Sequence, residues 1–203
     1  MSLIKKILNI PFVWNIFQTF VGANAWKLGL YPSVFHTKGK LLDFGCSMGN
    51  STAAFADFDY LGIDVDCEAI AAAARNWSTY PNIRFVCADI LEQPFPETDF
   101  DHVLVACAGH HLSDEAWRSI LAVLFSKLKK GGMLHFFDPL SQPEKDNVIT
   151  KLFIRNDQGR FIRTLEENKR FFKEYPIMEL NVIPSPDRFI KLEDMLYVRL
   201  QKS

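Results

Sequence analysis

From residue 40 onward, short unbroken apolar runs alternate with stretches of helical period. Residues 41–44, 60–63, 83–86, 100–106 and 133–137 read as short strands. Between them, 50–55 opens a helix, and 68–77 is Ala-rich and helical by propensity. The stretch 113–129 keeps Trp117, Ile120, Leu121, Leu124 and Leu128 on one helical face, with Ser113 as its N-cap and Gly131-Gly132 as its stop. Strands alternating with helices imply βαβ units, a parallel sheet and right-handed crossovers. The style then changes. Residues 140–162 are polar and broken by Pro and Gly, which predicts a loop-rich insertion. Residues 164–175 are helical, with Glu167 three places after a Thr164 cap. Residues 178–183 and 195–200 follow as two strands with a Pro-Ser-Pro corner at Pro184 between them.

Ahead of the alternating region, Phe12, Val13, Ile16, Phe17, Phe20 and Val21 make one apolar stripe at helical spacing. The stripe predicts an amphipathic helix lying on the domain or over its site. Trp14 and Trp26, with Phe12 and Phe17, would supply an apolar lid or plain core packing. Two other readings stay open. Lys5-Lys6 and the small residues Ala23-Asn24-Ala25 are compatible with a signal peptide, and the stripe with a membrane-surface helix. No run of 18 uninterrupted apolar residues is present to span a bilayer.

Composition narrows the function classes. The chain has 203 residues, enough for one domain with a small extension. Acidic residues number 24 and basic ones 23, for a net charge of −1, so no long-range field draws the protein to nucleic acid or an anionic membrane. Four cysteines stand at 46, 67, 87 and 107, none in a C-x-x-C pair. That predicts neither a zinc site nor a disulfide framework, but reduced thiols in a cytoplasmic protein. The 18 Phe fit either a large core or an aromatic-walled cavity.

The chemistry is concentrated in Leu42-Asp43-Phe44-Gly45-Cys46-Ser47-Met48-Gly49-Asn50. A strand runs into a small-residue turn and then a helix start, where a ligand can approach the backbone and meet free N–H groups. Glycines at i and i+4 fit neither the dinucleotide fingerprint nor a P-loop. Asp64 ends the second strand, 21 residues after Asp43, where a carboxylate can accept both ribose hydroxyls. Asp89 ends the third strand, where it can accept an adenine amine while Ile90 flanks the base.

With these residues, the chain resembles the class I S-adenosylmethionine-dependent methyltransferases of the small-molecule type. The family pattern is D-x-G-x-G-x-G, an acidic residue after strand two, then D-x-x-x-L-P-F-x-x-x-x-F-D. Here it reads Asp43 to Gly49, Asp64, and Asp89 to Asp101, with Ser47 for the middle glycine and Gln93 for Leu. The resemblance covers roughly residues 38–138. It implies a Rossmann-like, doubly wound α/β fold: a seven-stranded sheet, mostly parallel, with an antiparallel last strand and an N-terminal helical extension. It divides a single methyltransferase domain into an N-terminal lid (1–37), a cofactor-binding core (38–138) and an acceptor-side insertion with C-terminal strands (139–203).

The implied cofactor is S-adenosyl-L-methionine, with S-adenosyl-L-homocysteine as product. Gly45, Cys46, Ser47 and Gly49 would line its methionine and ribose portion. Asp43 would orient the loop and the aminoacyl end. Asp64 and Val65 would hold the ribose, Asp89 and Ile90 the adenine. The partner is a small-molecule acceptor, apolar or aromatic if the N-terminal aromatics cover it, and not a nucleic acid. His110 and His111 follow strand four, where the family places residues facing the transferred methyl, and either could take a proton from a hydroxyl or an acidic carbon. Asp138 could shape the acceptor pocket or cap strand five. Arg163 could bind an acidic acceptor or make a surface ion pair. Two rival classes remain: a catalytically silent cofactor-binding module of the same fold, and, against the glycine spacing, a nicotinamide oxidoreductase.

Overall fold

The computed structural model describes residues 28–92, 96–156, 159–185 and 194–203. The N-terminal stripe with its alternatives, Gln93-Pro94-Phe95 of the motif and the last proline of the Pro-Ser-Pro corner lie outside the described residues. Seven strands form one sheet: β1 (Lys40–Phe44), β2 (Asp59–Asp64), β3 (Ile83–Cys87), β4 (Phe100–Ala106), β5 (Leu128–Leu140), β6 (Ile177–Ile183) and β7 (Asp194–Gln201). Their order is β3-β2-β1-β4-β5-β7-β6. The first five pair in parallel, and β7 runs antiparallel to both β5 and β6. This is the doubly wound arrangement expected, antiparallel strand included.

Adjacent residues on a strand point to opposite faces, so the central strands must be apolar on both. Leu42, Val103, Val105, Leu134, Phe136, Leu196 and Val198 enter one core layer; Leu41, Tyr60, Leu104, Phe137 and Tyr197 enter the other. The first layer is closed by α2 (Asp114–Lys127), which contributes Trp117, Ile120, Leu121 and Leu124, and by α4 (Leu165–Phe172), which contributes Phe171 and Phe172. The second is closed by Tyr31, Phe35, Phe55 and Phe58, whose rings meet edge to face or tilted at centroid distances of 4.8–6.3 Å. Much of the phenylalanine count is therefore core.

The caps are as read. Ser113 accepts the Ala116 N–H, and Thr164 and Glu167 form a complete capping box on α4. Asp66 caps α1 (Cys67–Asn76) through the Glu68 and Ala69 amides.

Four expectations need correction. The helix predicted at 50–55 is a short 3-10 turn, Thr52–Phe55. With β2 beginning at Asp59, Phe55 and Phe58 must both reach the core, and no room is left for a longer helix. The helix predicted to reach 129 ends at Lys127, because Leu128 pairs with Phe100 as the start of β5; Gly131, at φ +77, instead makes a kink inside that strand. The insertion predicted as loop contains α3 (Val148–Asn156). Finally, Cys67 and Cys87 are joined by a disulfide, against the expectation of reduced thiols. Twenty residues separate them, and only the parallel pairing of β2 with β3 brings them together.

One polar chain runs from exposed Thr37 into the second layer. Thr37 Oγ1 meets His102 Nε2 at 3.2 Å, His102 Nδ1 meets His135 Nε2 at 3.3 Å, and His135 Nδ1 meets the Tyr197 hydroxyl at 3.1 Å. Phe35 stacks on His135 at 3.9 Å. The nitrogen-to-nitrogen contact has room for one hydrogen, so the two rings cannot both be charged. Burial pushes both imidazoles below their ordinary pKa, and His135 well below it.

A prediction follows from the sign of that shift. Above pH ~6.5 both rings are neutral folded or unfolded, and nothing is lost. Below it the unfolded chain takes up protons that the fold refuses, so stability falls as pH drops, by at most about 1.4 kcal/mol per ring and pH unit. Buried Asp43, whose carboxyl is raised to about 7, acts with the opposite sign in the same window. Urea midpoints of wild type and His135→Phe between pH 7.5 and 5.5 isolate the histidine part; the variant is expected to lose less stability over that interval.

Candidate cofactor and active site

The carboxyl ends of β1, β2 and β3 meet at one edge, and each delivers one acidic residue. Asp43 stands on β1, opposite Gly62 of β2 and Leu104 of β4. It is 1% exposed, and its Oδ2 accepts the Tyr60 hydroxyl at 2.6 Å. Burial raises its carboxyl to about 7, the Tyr60 bond works against that rise, and the nearby charge of Asp64 adds to it.

The loop after β1 turns through left-handed backbone at alternate residues: Gly45 (φ 72), Ser47 (φ 49) and Gly49 (φ 79). The Gly45 and Cys46 amides both donate to the Ile63 carbonyl, at 2.9 and 3.2 Å, which fastens the loop to β2. At Gly45 a β-carbon would come within 2.7 Å of Ala108 Cβ, so the β1 and β4 loops close on each other only because no side chain is there. Cys46 turns inward against Gly62, burial drives its thiol far above the usual range, and its carbonyl accepts the Gly49 N–H at 2.9 Å, which closes the turn.

Ser47 is held in its unfavourable conformation by Asp64. The Ser47 N–H donates to Asp64 Oδ2 at 2.9 Å, while Asp64 Oδ1 accepts the Asp66 N–H at 2.9 Å. Each carboxylate oxygen has a second acceptor position, so Asp64 can hold the loop and still receive hydroxyl groups. Val65 beside it is exposed. Asp89 Oδ1 accepts the Leu91 N–H at 2.9 Å, and Ile90 anchors that turn in the core. The Ala88 N–H donates to the Asp64 carbonyl at 3.0 Å, joining the two turns. The structure thus brings Asp43, Gly45, Ser47, Gly49, Asp64 and Asp89 to one edge.

The histidines separate. Both lie in the 3-10 turn Gly109–His111, but His110 is 5% exposed and His111 is at the surface. His110 Nδ1 lies 2.8 Å from Oδ1 of buried Asp138 at the end of β5, and the two imidazoles face each other at 4.2 Å. The segment 159–163 closes over this turn. The Phe161 N–H donates to the His110 carbonyl at 3.0 Å, and a β-carbon at Gly159 would overlap the His110 ring.

Arg163 does make an ion pair, with the exposed carboxylate of Asp114, but its own guanidinium is buried and not open to an acceptor. It is 5% exposed, and it donates to the Gly109 carbonyl (3.0 Å), the Leu112 carbonyl (2.6 Å) and Asp114 Oδ1 (3.0 Å). That clamp was beyond sequence reading, because two of its three acceptors are main-chain groups with no residue signature. Among the described residues, no three His, Cys, Asp or Glu side chains converge as a metal site.

Residues 41–132 match the family model for the methyltransferase domain. That stretch, less than half of the chain, is what is similar to methyltransferase domains. Demethylmenaquinone methyltransferase of Bacillus licheniformis is 27% identical to this chain over 108 residues, which are 51% of the chain and 45% of that relative. The chain thus matches less than half the length of that curated protein. Two solved structures share the fold of that stretch and its flanks. The N-methyltransferase NodS of Bradyrhizobium japonicum WM9, in complex with S-adenosyl-L-homocysteine, is 21% identical with a TM-score of 0.67, covering 96% of this chain and 90% of its own. The [4+2]-cyclase SpnF is 17% identical with a TM-score of 0.68, covering 87% and 80%. A methyltransferase-type fold therefore does not dictate its reaction, and the acceptor must be argued from the site.

The loop geometry separates two substitutions in this chain. Gly45→Ala meets both a left-handed backbone and the Ala108 contact, and is expected to cost about 2 kcal/mol or more. Ser47→Gly relieves a left-handed L-residue and is expected to change stability by no more than about 1 kcal/mol. Urea unfolding of both variants checks the order.

Proposed function

We propose that the chain transfers the methyl group of S-adenosylmethionine to a small apolar or aromatic acceptor. The observation that carries this reading is the carboxylate of Asp64, fixed on the Ser47 amide beside a loop with little side-chain bulk, with Asp89 on the adjoining turn. The residues present fit the cofactor. Asp64 would bind the ribose hydroxyls, Asp89 and Ile90 the adenine, and the backbone of Gly45, Cys46, Ser47 and Gly49 the methionine portion, with Asp43 ionised toward the cationic aminoacyl end.

When bound, S-adenosylmethionine supplies a methyl group already activated by a sulfonium. The protein's part is to align the acceptor and keep water out. Leu30, Tyr31, Ala106, Cys107, Phe137 and Met195 form a closely packed apolar wall past the end of β4, without room for a ligand inside it. Where the acceptor must lose a proton, His110 is the base we favour over exposed His111. Asp138 holds the hydrogen on Nδ1 and so makes Nε2 the basic atom. Residues 139–203 would shape the acceptor side.

S-adenosyl-L-homocysteine is expected to raise the melting temperature of the wild type and to leave Asp64→Ala unmoved. No shift in the wild type at saturating ligand would refute the reading. His110→Ala should keep the shift while losing turnover on a panel of phenols and acidic-carbon acceptors.

Asp43 adds a pH dependence. Below about pH 7 its carboxyl is protonated and gives nothing to a cationic ligand, so affinity is expected to fall with acidity, by up to about tenfold per pH unit. Calorimetric titration between pH 5.5 and 8 measures this, and Asp43→Asn should flatten the profile.

A further inference from the structure

Methyl transfer makes no use of the Cys67–Cys87 bond, yet that bond sits where the adenosine end of the cofactor would lie. Cys67 opens α1, three residues after Asp64, and Cys87 ends β3, two residues before Asp89. Parallel register places Cys87 directly beside Asp64, and the Ala88 N–H reaches the Asp64 carbonyl. The two α-carbons are 5.1 Å apart. Cys67 is exposed and Cys87 half-buried, so a reductant in solution can reach the bond. Cys46 and Cys107 lie on other loops and are not part of it.

We propose that Cys67–Cys87 is a thiol–disulfide exchange site whose oxidation state sets the grip on the adenosine end of the cofactor. This rests on the assignment of Asp64 and Asp89 made above. The partner class is a dithiol reductant. One of its thiolates attacks Cys67 Sγ; a mixed disulfide forms, the protein's S–S bond breaks, and Cys87 departs as a thiolate that takes a proton. The second thiolate of the reductant then displaces Cys67, which is protonated in turn, and the reductant leaves as its own disulfide. Two electrons and two protons have passed to the protein. Closing is the reverse exchange with a disulfide oxidant.

The closed bond holds the turns of Asp64 and Asp89 together before a ligand arrives. Once it opens, those turns keep the β2–β3 ladder, the Ala88 hydrogen bond and the Cys87 Sγ contact to the Val65 carbonyl at 3.7 Å but lose their covalent tie, and binding must order them. The expected penalty is an affinity for S-adenosyl-L-homocysteine weaker by about three- to tenfold.

The test titrates S-adenosyl-L-homocysteine into the full chain before and after treatment with a phosphine reductant, with thiols counted under denaturing conditions. The count is expected to rise from two to four, the number of cysteines in the chain. Affinity should fall on reduction, with unchanged circular dichroism. Cys67→Ser and the double variant Cys67→Ala/Cys87→Ala should bind as the reduced wild type does and ignore the reductant. Equal affinity in both states, four thiols in the oxidant-treated protein, or global unfolding on reduction would each overturn the proposal while leaving the cofactor assignment intact. Absence of binding in both states would overturn the cofactor assignment itself, and the proposal with it.

Discussion

The edge of the sheet depends on the hydrogen bond between the Ser47 amide and the Asp64 carboxylate. A loop that must leave a strand, clear space for a ligand and return cannot follow a regular backbone path, and three of its residues adopt left-handed conformations. Two are glycines, for which this is cheap; the third is a serine, for which it is not. An anionic acceptor on the neighbouring strand offsets that cost with a charge-assisted bond. In the proposed cofactor role the same carboxylate would also face the ribose, so conformation and recognition would share one group.

The fold was largely legible because it rests on periodicity. Leu41-Leu42 and Leu104-Val105 advertise strands buried on both faces, and Trp117, Ile120, Leu121 and Leu124 advertise the helix over them. What failed was governed by distance along the chain or by pairing partners. Nothing local in Thr52 to Phe55 says that β2 begins four residues later and cuts the helix short. Leu128 continues the helical stripe in sequence, yet its pairing with Phe100 claims it for a strand.

The site divides along the same line. Carboxylates at strand ends and a glycine-rich bend have sequence signatures, and Asp43, Asp64 and Asp89 converge as read. Cys67 and Cys87 do not announce their pairing, since it depends on the register of two parallel strands. His110 and His111 look equivalent in sequence, and only the fold gives the first a buried aspartate and a cover while placing the second at the surface.

The arginine clamp over the 3-10 turn has a consequence for how the molecule breathes. Arg163 cannot withdraw without stranding the buried Gly109 carbonyl and giving up its bonds to Leu112 and Asp114, a loss of about 1–3 kcal/mol or more. Small fluctuations of the segment 159–163 are therefore suppressed, and it opens together with the end of β4 or not at all. Its amides are expected to exchange with solvent on the timescale of the central sheet.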